Sequence, residues 1–550
     1  MSNLENLAAK ILKESQQPDS QELKILLLQL AEVANTPGDI TCLIGPVVKL
    51  LPSHNTSVKF TIYGILPRIC KAQPDAAVLV VNTVLNDCRD PNPEVKRVAV
   101  STLCSLPPLL QEYVGPVVDA ALKDRHPKVR NAAVLGCSKI FKEMPNLLQD
   151  IGMIDRLYET IRDEDPVVST NCLLVLDTVL ASEGGVVVSR SMARYLLHRL
   201  PMLPHPQLAT VLQFLAKHKP ATEDELFFIL SEVDPYLGVM TSPPVVVSCA
   251  RLFLHLTESS QPQLEPQLVE RVAPALRSYL QSTDTSQDGL HCLLDFLLSL
   301  RDRPVWMSLL GGMPELLYPV AREDHTVAVK KLDLLAYIIN KDTSSDTAAK
   351  VAAVLREQCT AGGPVATAAA RCLCACAARS SASTFLTAST SLLVRNTVHH
   401  DVTAAVLDGL QDVSLDNFPQ EDISDLLCKV IDVTNTIKES PPPILPVLLG
   451  AYGELLGDQA VHVLESLVDR FNCYTDEGIC HLLLSATLKL FMKMPARVQH
   501  ILGELMEACI LDRDEFSELR WRALKFYNML KADPQLVRTL LGLDKREAIS

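Results

Sequence analysis

The sequence predicts an all-α fold, a HEAT/armadillo-like right-handed α-solenoid, mainly because one phrase is repeated along the chain. Two copies lie 34 positions apart and share an acid, a proline, a valine and a base: Asp90, Pro93, Val95 and Lys96, then Asp124, Pro127, Val129 and Arg130. A looser copy starts at Asp163, and another lies upstream around Val58 and Lys59. Periods of about 20–50 residues are typical of stacked helical arrays. Turn residues alone explain one copy, but poorly explain three at this interval.

The composition of the 550-residue chain favours the same fold. Hydrophobic residues make up 48% of the chain and aromatic residues only 5%, which suits layers of Leu-, Ala- and Val-rich helices better than a β-sandwich. A solenoid grows by adding repeats and needs no single closed core, so one long domain is compatible with this length. The formal net charge of −14 disfavours general nucleic-acid binding, because that binding depends on basic surfaces.

Each copy of the phrase predicts two helices joined by a turn. Pro127 suits the first position of a helix, where its missing N–H costs nothing. The apolar residues that follow recur every three or four positions, as on one buried face of a helix: Val129, Ala132, Ala133, Cys137 and Ile140. Before the turn, Val118 and Leu122 mark the inner face of the partner helix.

The acids and bases of the phrase predict a ladder of ion pairs between successive turns. We expect Arg130 to lie within hydrogen-bonding reach of Asp90, Asp124 or Asp163, the candidates by spacing. We also expect this pair to be partly exposed, so that it contributes only about 0–1 kcal/mol to stability.

The helical pattern extends along the rest of the chain. Residues 1–50 predict two or three amphipathic helices, and residues 190–435 predict helical pairs with weaker spacing. Five more helices are predicted near the end: Leu445–Leu456, Val461–Phe471, Cys480–Met494, Val498–Leu511 and Leu519–Leu530. We therefore assign residues 1–535 to one helical-repeat trunk and residues 536–550 to a polar tail or the start of a hinge.

The cysteines and the apolar runs indicate the cellular compartment and the mode of membrane association. Sixteen cysteines lie mostly in apolar phrases and no apolar leader follows Met1, which is typical of reduced thiols in a cytoplasmic protein. The longest apolar runs, such as Leu290–Leu300, are shorter than the roughly 18–20 residues of a membrane-spanning helix. Membrane association is therefore expected to be peripheral.

Two clusters of potential metal ligands have a simpler structural interpretation. Cys372, Cys374 and Cys376 form a CxCxC phrase, but on a helix Cys374 points away from the other two, which favours small core residues. The His399–Asp401 stretch could ligate a metal, but adjacent histidines point apart, so a solvated turn is favoured. No metal site is predicted.

Two further phrases bear on function. The loop Glu183–Gly185 lacks the glycines and the Lys-Ser/Thr of a phosphate-binding loop, which favours an inter-repeat turn over a nucleotide site. Leu540–Asp544 fits the loose pattern of a clathrin-box peptide, but the same residues could end the last helix, so clathrin is a doubtful partner. No GxSxG or HExxH motif occurs, and nothing favours an enzyme or a bound cofactor.

Several longer phrases follow one another in a fixed order along the chain. The longest is QPDAAVLVVNTVLNDCRDPNPEVKRVAVSTL at Gln73–Leu103. The others are LKDRHPKVRNAAV at Leu122–Val134, RDEDPVV at Arg162–Val168, VKKLDLL at Val329–Leu335, GAYGE at Gly450–Glu454, ATLKLFMKMP at Ala486–Pro495 and LRWRALKFYNML at Leu519–Leu530. In this order they closely resemble the trunk of the β-adaptins, the large β subunits of heterotetrameric vesicle adaptor complexes.

Two phrases refine the resemblance. EGGVV at Glu183–Val187 and EDELFFIL at Glu223–Leu230 are most similar to the β subunit of the fourth adaptor complex. The N-terminal stretch lacks the Met-Thr-x-Gly phrase and some basic residues usual in the family, which weakens the case for direct phosphoinositide binding. The family's hinge and C-terminal appendage are expected to be absent, because the chain stops where the trunk does.

The resemblance implies a structural role in vesicle-mediated protein transport. Such a trunk curves around the medium (μ) subunit and pairs with the small (σ) and the second large subunit. The coat would sort transmembrane cargo while lying peripherally on trans-Golgi network and coated-vesicle membranes. In the family, Arf-type GTPases dock on the helix between QPD and DC, and matched by position the hydrophobic contacts fall on Val78 and Val81. Both valines are also at core spacing, so burial is the alternative.

The repeats alone leave a second function open. A non-vesicular HEAT-repeat scaffold, either a nuclear-transport receptor or a phosphatase scaffold, would have the same helical architecture. Its partners would be Ran or a phosphatase catalytic subunit instead of medium and small adaptins.

Overall fold

A computed structural model describes the chain over residues 3–14, 21–34, 43–53, 55–106, 111–145, 152–239, 241–258, 261–282, 285–320, 323–340, 343–360, 362–380, 382–393, 400–434, 441–512 and 517–542. Every regular element in these ranges is a helix, which confirms the all-α prediction. The chain divides into two compact units, Met1–Pro262 and Gln263–Ser550, and each is described by itself.

The first unit is built from helices in pairs. Its described α-helices are α1 Asn3–Glu14, α2 Gln21–Ala34, α3 Ile44–Leu50, α4 Thr56–Ala72, α5 Asp75–Asp87, α6 Pro93–Leu103, α7 Gln111–Leu122, α8 Pro127–Glu143, α9 Met153–Thr160, α10 Pro166–Val179, α11 Arg190–Arg199, α12 His205–Leu215, α13 Glu223–Val233 and α14 Pro243–Thr257. Short 3-10 turns lie at Ala181–Glu183, Leu200–Met202 and Asp234–Leu237.

The helices of the first unit form two layers. The even-numbered helices from α2 to α14 pack one against the next, and each also packs against the odd-numbered helix before it. The predicted apolar face of α8 points into the interior between the two layers, since Val129, Ala133, Cys137 and Ile140 are fully buried. This repeated pairing is the arrangement of an α-solenoid.

The repeated phrase determines where three of the even-numbered helices begin. α6, α8 and α10 each have a proline at the first position, where no N–H is needed. Asn92 Oδ1 accepts a hydrogen bond from the Glu94 N–H at 3.0 Å, and Asp165 Oδ1 accepts one from the Val167 N–H at 2.9 Å. These caps satisfy backbone donors that the first helical turn leaves free.

The predicted ladder of ion pairs is present in the first unit. Arg130 Nε and Nη2 donate to Asp163 Oδ2 and Oδ1 at 2.7 and 2.8 Å, so a helix of one repeat reaches the turn of the next. Lys96 Nζ donates to Asp124 Oδ2 at 2.8 Å in the same way. The Arg130 and Asp163 side chains are 16% and 8% exposed, so the pair is partly exposed as expected, although more covered than a surface pair. The close packing of α8 on α10 covers most of both side chains.

The ladder also affects the ionisation of Asp124. Partial burial alone would raise the pKa of this carboxyl, but the hydrogen bonds from Lys96 Nζ and the His126 N–H outweigh burial and lower the pKa below its usual value. Asp124 therefore stabilises the folded state in its ionised form.

The second unit contains the remaining helices. Its described α-helices are α15 Glu265–Gln281, α16 Gln287–Ser299, α17 Pro304–Gly311, α18 His325–Ile338, α19 Ser345–Thr360, α20 Gly363–Ser380, α21 Ser383–Leu392, α22 His400–Gly409, α23 Gln420–Thr434, α24 Ile444–Tyr452, α25 Asp458–Asp469, α26 Glu477–Lys493, α27 Pro495–Glu507, α28 Ser517–Ala532 and α29 Pro534–Leu540. The helices α16, α18, α20 and α22 pack in succession, as do α24, α26 and α28. Its shorter turns are Pro314–Leu317, Leu410–Asp412, Leu415–Asn417, Gly453–Leu456, Phe471–Cys473 and the π-helical turn Ala508–Asp512, while Pro262–Leu264 joins the two units in sequence.

The five helices predicted near the end correspond to α24–α28. A sixth, α29, was not predicted, because the sequence from residue 536 onward favours a polar tail. Val537 is fully buried where α29 packs on α28, and this contact holds the segment in a helix. Leu540 ends α29, while Leu543 and Asp544 of the clathrin-box phrase lie outside the described residues.

The candidate metal ligands occupy structural positions. Cys372 and Cys376 lie side by side with their Sγ atoms 4.0 Å apart, while the Cys374 Sγ approaches the Val406 carbonyl at 3.6 Å. All three thiols are buried. No group of three or more His, Cys, Asp or Glu side chains in the described ranges could hold a metal ion. His399 lies outside those ranges.

The loop Glu183–Gly185 forms a turn between α10 and α11. Gly184 and Gly185 have φ angles of 97° and 79°, a left-handed conformation that favours glycine. A Cβ at position 185 would lie 2.4 Å from Asp177 Oδ1, so the Asp177 side chain would have to move to accept any other residue. Among the described helices, none combines the length and the hydropathy needed to cross a bilayer.

Candidate partner-binding surfaces

Helix α5 carries the residues predicted to bind a partner, and the structure separates them. Val78 is 59% exposed, whereas Val81 is only 8% exposed and packs in the core with Val80 and Val84. Val81 therefore offers little surface to a partner. The helical period explains the difference, because Val81 lies next to the row of Ala77, Val80 and Val84 and Val78 does not.

Leu79 is a surface residue of α5 that the family match did not indicate. Its side chain is 64% exposed, more than that of Val78. Val78 and Leu79 flank the outer face of α5, with the exposed Asn82 between them on the helical wheel. The signal was present in the sequence, since an apolar residue at position 79 falls outside the core spacing. The apolar surface of α5 is thus Val78 with Leu79.

A buried ion pair holds the C-terminal end of α5 against α4. Asp87 accepts hydrogen bonds from Lys59 Nζ at 2.7 and 2.8 Å and from the Tyr63 hydroxyl at 2.6 Å. Burial, together with the hydrogen bond to Asp87, raises the pKa of Tyr63 above its usual value, so the hydroxyl remains a donor. These contacts fix the direction in which Val78 and Leu79 face.

A second exposed apolar surface lies on α28 in the second unit. Leu519, Ala523 and Phe526 form its buried face. Trp521, Leu524 and Tyr527 lie outside this face and are exposed. A contiguous aromatic and apolar surface of this kind is typical of a protein–protein interface.

Comparison with known proteins identifies the family. The profile of the adaptin N terminal region matches residues 4–534. The beta-1 subunit of the AP-4 complex of Mus musculus is 30% identical over 517 residues, which is 93% of this chain and 66% of that protein. The beta-1 subunit of the mouse AP-1 complex is 26% identical over 545 residues, 97% of this chain and 56% of that protein. This chain therefore spans less than two thirds of the length of these relatives.

The solved structures that resemble this chain include karyopherins. A complex of Kap95p with RanGDP matches with a TM-score of 0.56 and 13% identity, and covers 94% of this chain and 74% of that chain. Kap121p bound to the SUMO protease Ulp1p matches with a TM-score of 0.50 and 10% identity, over 98% of this chain and 63% of that chain. At such low identity the likeness concerns the fold alone.

The sequence comparison separates the two functional classes that the repeats leave open. Karyopherins share the solenoid, but the amino-acid sequence is similar to those of adaptor β subunits. A match over residues 4–534 covers nearly the whole chain and confirms the resemblance to β-adaptins. The chain belongs to the adaptin family.

Proposed function

We propose that the chain is the structural β subunit of a heterotetrameric adaptor complex of the AP-4 type, and that this complex sorts transmembrane cargo at the trans-Golgi network. The observation that carries the proposal is the family match over residues 4–534, together with relatives that are adaptor β subunits. In this role the chain is a scaffold on the surface of trans-Golgi and coated-vesicle membranes. Its chemistry is the binding of partners, not catalysis.

The partners proposed for the second unit are other adaptor subunits. The exposed Trp521, Leu524 and Tyr527 on α28 offer an apolar surface that a medium, small or second large subunit would cover. Affinity capture of the full chain from cells with intact Golgi membranes should recover medium and small adaptins. Recovery of Ran or of a phosphatase catalytic subunit instead would favour the non-vesicular scaffold.

The proposed membrane recruiter is an Arf-type GTPase that docks on α5. The support is the position of α5 between the QPD and DC phrases, together with the exposed Val78 and Leu79. The ion pair between Lys59 and Asp87 would fix the orientation of α5 before docking, so that docking requires little rearrangement. Val81 supports the surface from the core.

The test is a pull-down of the full chain on GTP-loaded and GDP-loaded Arf-type GTPase. A Val78→Asp/Leu79→Asp variant should lose GTP-dependent binding by about tenfold or more and keep its melting temperature, because both side chains are over half exposed. A matched control is Leu135→Asp/Leu174→Asp, the same exchange at exposed leucines of α8 and α10, which should bind normally. Full binding by the α5 variant would reject this docking site.

A further inference from the structure

A groove of about 460 Å³ opens between α11 and α13 in the first unit. Its volume lies within the range of about 300–1,000 Å³ that is usual for binding pockets. Each wall is lined by residues spaced four positions apart, and therefore by one row of its helix. The rows are Arg190, Arg194 and His198 on α11, and Asp224, Phe228 and Glu232 on α13.

The two walls carry opposite charges, and only one pair of them, Arg190 with Glu225 at one end of the groove, is joined across it. The side chains of Arg194 and His198 on one wall form no ion pair or hydrogen bond with any other described residue. The same holds within the described ranges for Asp224 and Glu232 on the other wall. A groove with one basic and one acidic wall favours a ligand that carries acids along one side and bases along the other.

The groove also contains an aromatic side chain, Phe228, that other apolar side chains cover only in part. Phe228 is 49% exposed, while the neighbouring groove residues Ala193, Leu197 and Ile229 are buried. Exposed aromatic rings beside an apolar floor are the usual anchors of protein interfaces. A ligand that covers Phe228 would complete this apolar surface.

Glu225 makes one end of the groove rigid. Its carboxylate accepts hydrogen bonds from Arg190 Nε at 3.0 Å and from the Ala221 N–H at 3.1 Å, and it lies 3.4 Å from His218 Nε2. The hydrogen bond from the Ala221 N–H, with the added effect of His218 and Arg190, lowers the pKa of Glu225 and keeps it ionised. The spacing of α11 and α13 is thus set without a ligand.

We propose that this groove binds an amphipathic helix of a partner protein. The apolar row of that helix packs on Phe228, its acidic flank faces Arg194 and His198, and its basic flank faces Asp224 and Glu232. Packing of an amphipathic helix into a groove is a common mode of peptide recognition. The site lies on different helices from the α5 surface and does not depend on the docking of a GTPase there.

The probe is a library of stapled helical peptides of about sixteen residues, with a Leu or Phe row, glutamates on one flank and lysines on the other. Peptides selected on the full chain should bind a Phe228→Asp variant about thirtyfold more weakly, as expected when an interface anchor is lost. Phe227→Asp is the matched control, because Phe227 is 47% exposed on the same helix but does not line the groove. This variant should bind the peptides normally.

The charges provide the second arm of the experiment. Arg194→Glu should weaken the selected peptides, and peptides with lysine in place of the facing glutamate should restore the affinity. The proposal is overturned if no selected peptide binds the Phe228→Asp variant more weakly. It is also overturned if peptides with lysine in place of the facing glutamate do not regain affinity for the Arg194→Glu variant. A dimer of the chain in sedimentation that Phe228→Asp dissolves would also overturn it, since the occupant would then be a second copy.

Discussion

Replacing Arg130 by alanine tests whether the ladder stabilises the first unit. The guanidinium donates two hydrogen bonds to the Asp163 carboxylate, and Nη1 donates to the carbonyls of Asp124 and Arg125. Removing one member of a fully buried ion pair costs about 3–5 kcal/mol. Asp163 would keep the hydrogen bond from the Asp165 N–H, and water could enter beside it, so we expect a smaller loss of about 2–3 kcal/mol.

The assay must report on the first unit alone. The two tryptophans of the chain, Trp306 and Trp521, both lie in the second unit, so tryptophan fluorescence does not follow the first. Hydrogen exchange resolves individual helices and gives the free energy of their opening. In Arg130→Ala, this free energy should fall by about 2–3 kcal/mol for amides of α8 and α10 and stay unchanged for amides of α24 and α26.

A matched variant distinguishes burial from charge. Lys128 lies two positions from Arg130 and pairs with Glu94 at the exposed surface, so Lys128→Ala should leave the exchange of α8 and α10 unchanged. The Arg130→Ala/Asp163→Ala double variant completes a cycle and isolates the coupling between the two side chains. A loss below about 1 kcal/mol for Arg130→Ala, or an equal loss for Lys128→Ala, would refute the argument that burial makes this pair strong.

The remaining predictions concern single positions in both units. Val81→Asp should destabilise the first unit by about 3–5 kcal/mol in urea unfolding, from lost apolar burial and an unpaired buried carboxylate, whereas Val78→Asp should change stability by less than about 0.5 kcal/mol. Asp124→Asn should be destabilising at neutral pH. Because the folded-state pKa of Asp124 is lowered, this deficit should shrink as the pH falls below the unfolded-state value of about 4, in melting curves recorded across that range. Gly450→Ala should destabilise the second unit by about 1–3 kcal/mol, because a Cβ there would lie 2.8 Å from the Cα of Ala486. Tryptophan fluorescence recorded during unfolding would measure this loss.

Features that recur with the repeat were predictable from the sequence. Spacing predicted the apolar face of α8 and limited the partner of Arg130 to three acids, of which Asp163 is the one it pairs with, because each repeat places the same positions in the same environment. The strength of that pair was not predictable. Its burial depends on how closely α8 and α10 pack, and this packing involves the side chains of two repeats at once.

The surfaces were harder to predict than the core. On α5, spacing allowed Val78 and Val81 to be either surface or core, and the helical period separates them only once the buried row of Ala77, Val80 and Val84 is known. The groove beside Phe228 depends on the gap between α11 and α13, which belong to different helix pairs. A single sequence carries no signal for such a gap, because no one helix specifies it.

The phrases that identify the family mostly describe packing inside the solenoid. Gly450 of GAYGE lies against Ala486 of ATLKLFMKMP so closely that no side chain fits between them. Lys331 of VKKLDLL is buried in an ion pair with Glu323. Residues of this kind specify the helical array. They do not determine which partner a member binds.

The two phrases most similar to the β subunit of the fourth adaptor complex are linked by a side-chain contact beside the surface groove. His218 connects them, because its Nδ1 lies 3.1 Å from the carbonyl of Val188, directly after EGGVV, and its Nε2 lies 3.4 Å from Glu225 of EDELFFIL. Glu225 forms the rigid end of the charged groove, and Phe228 of the same phrase is its exposed aromatic ring. Of these two phrases, EDELFFIL lines the surface groove through Glu225 and Phe228, and His218 links EGGVV to its rigid end.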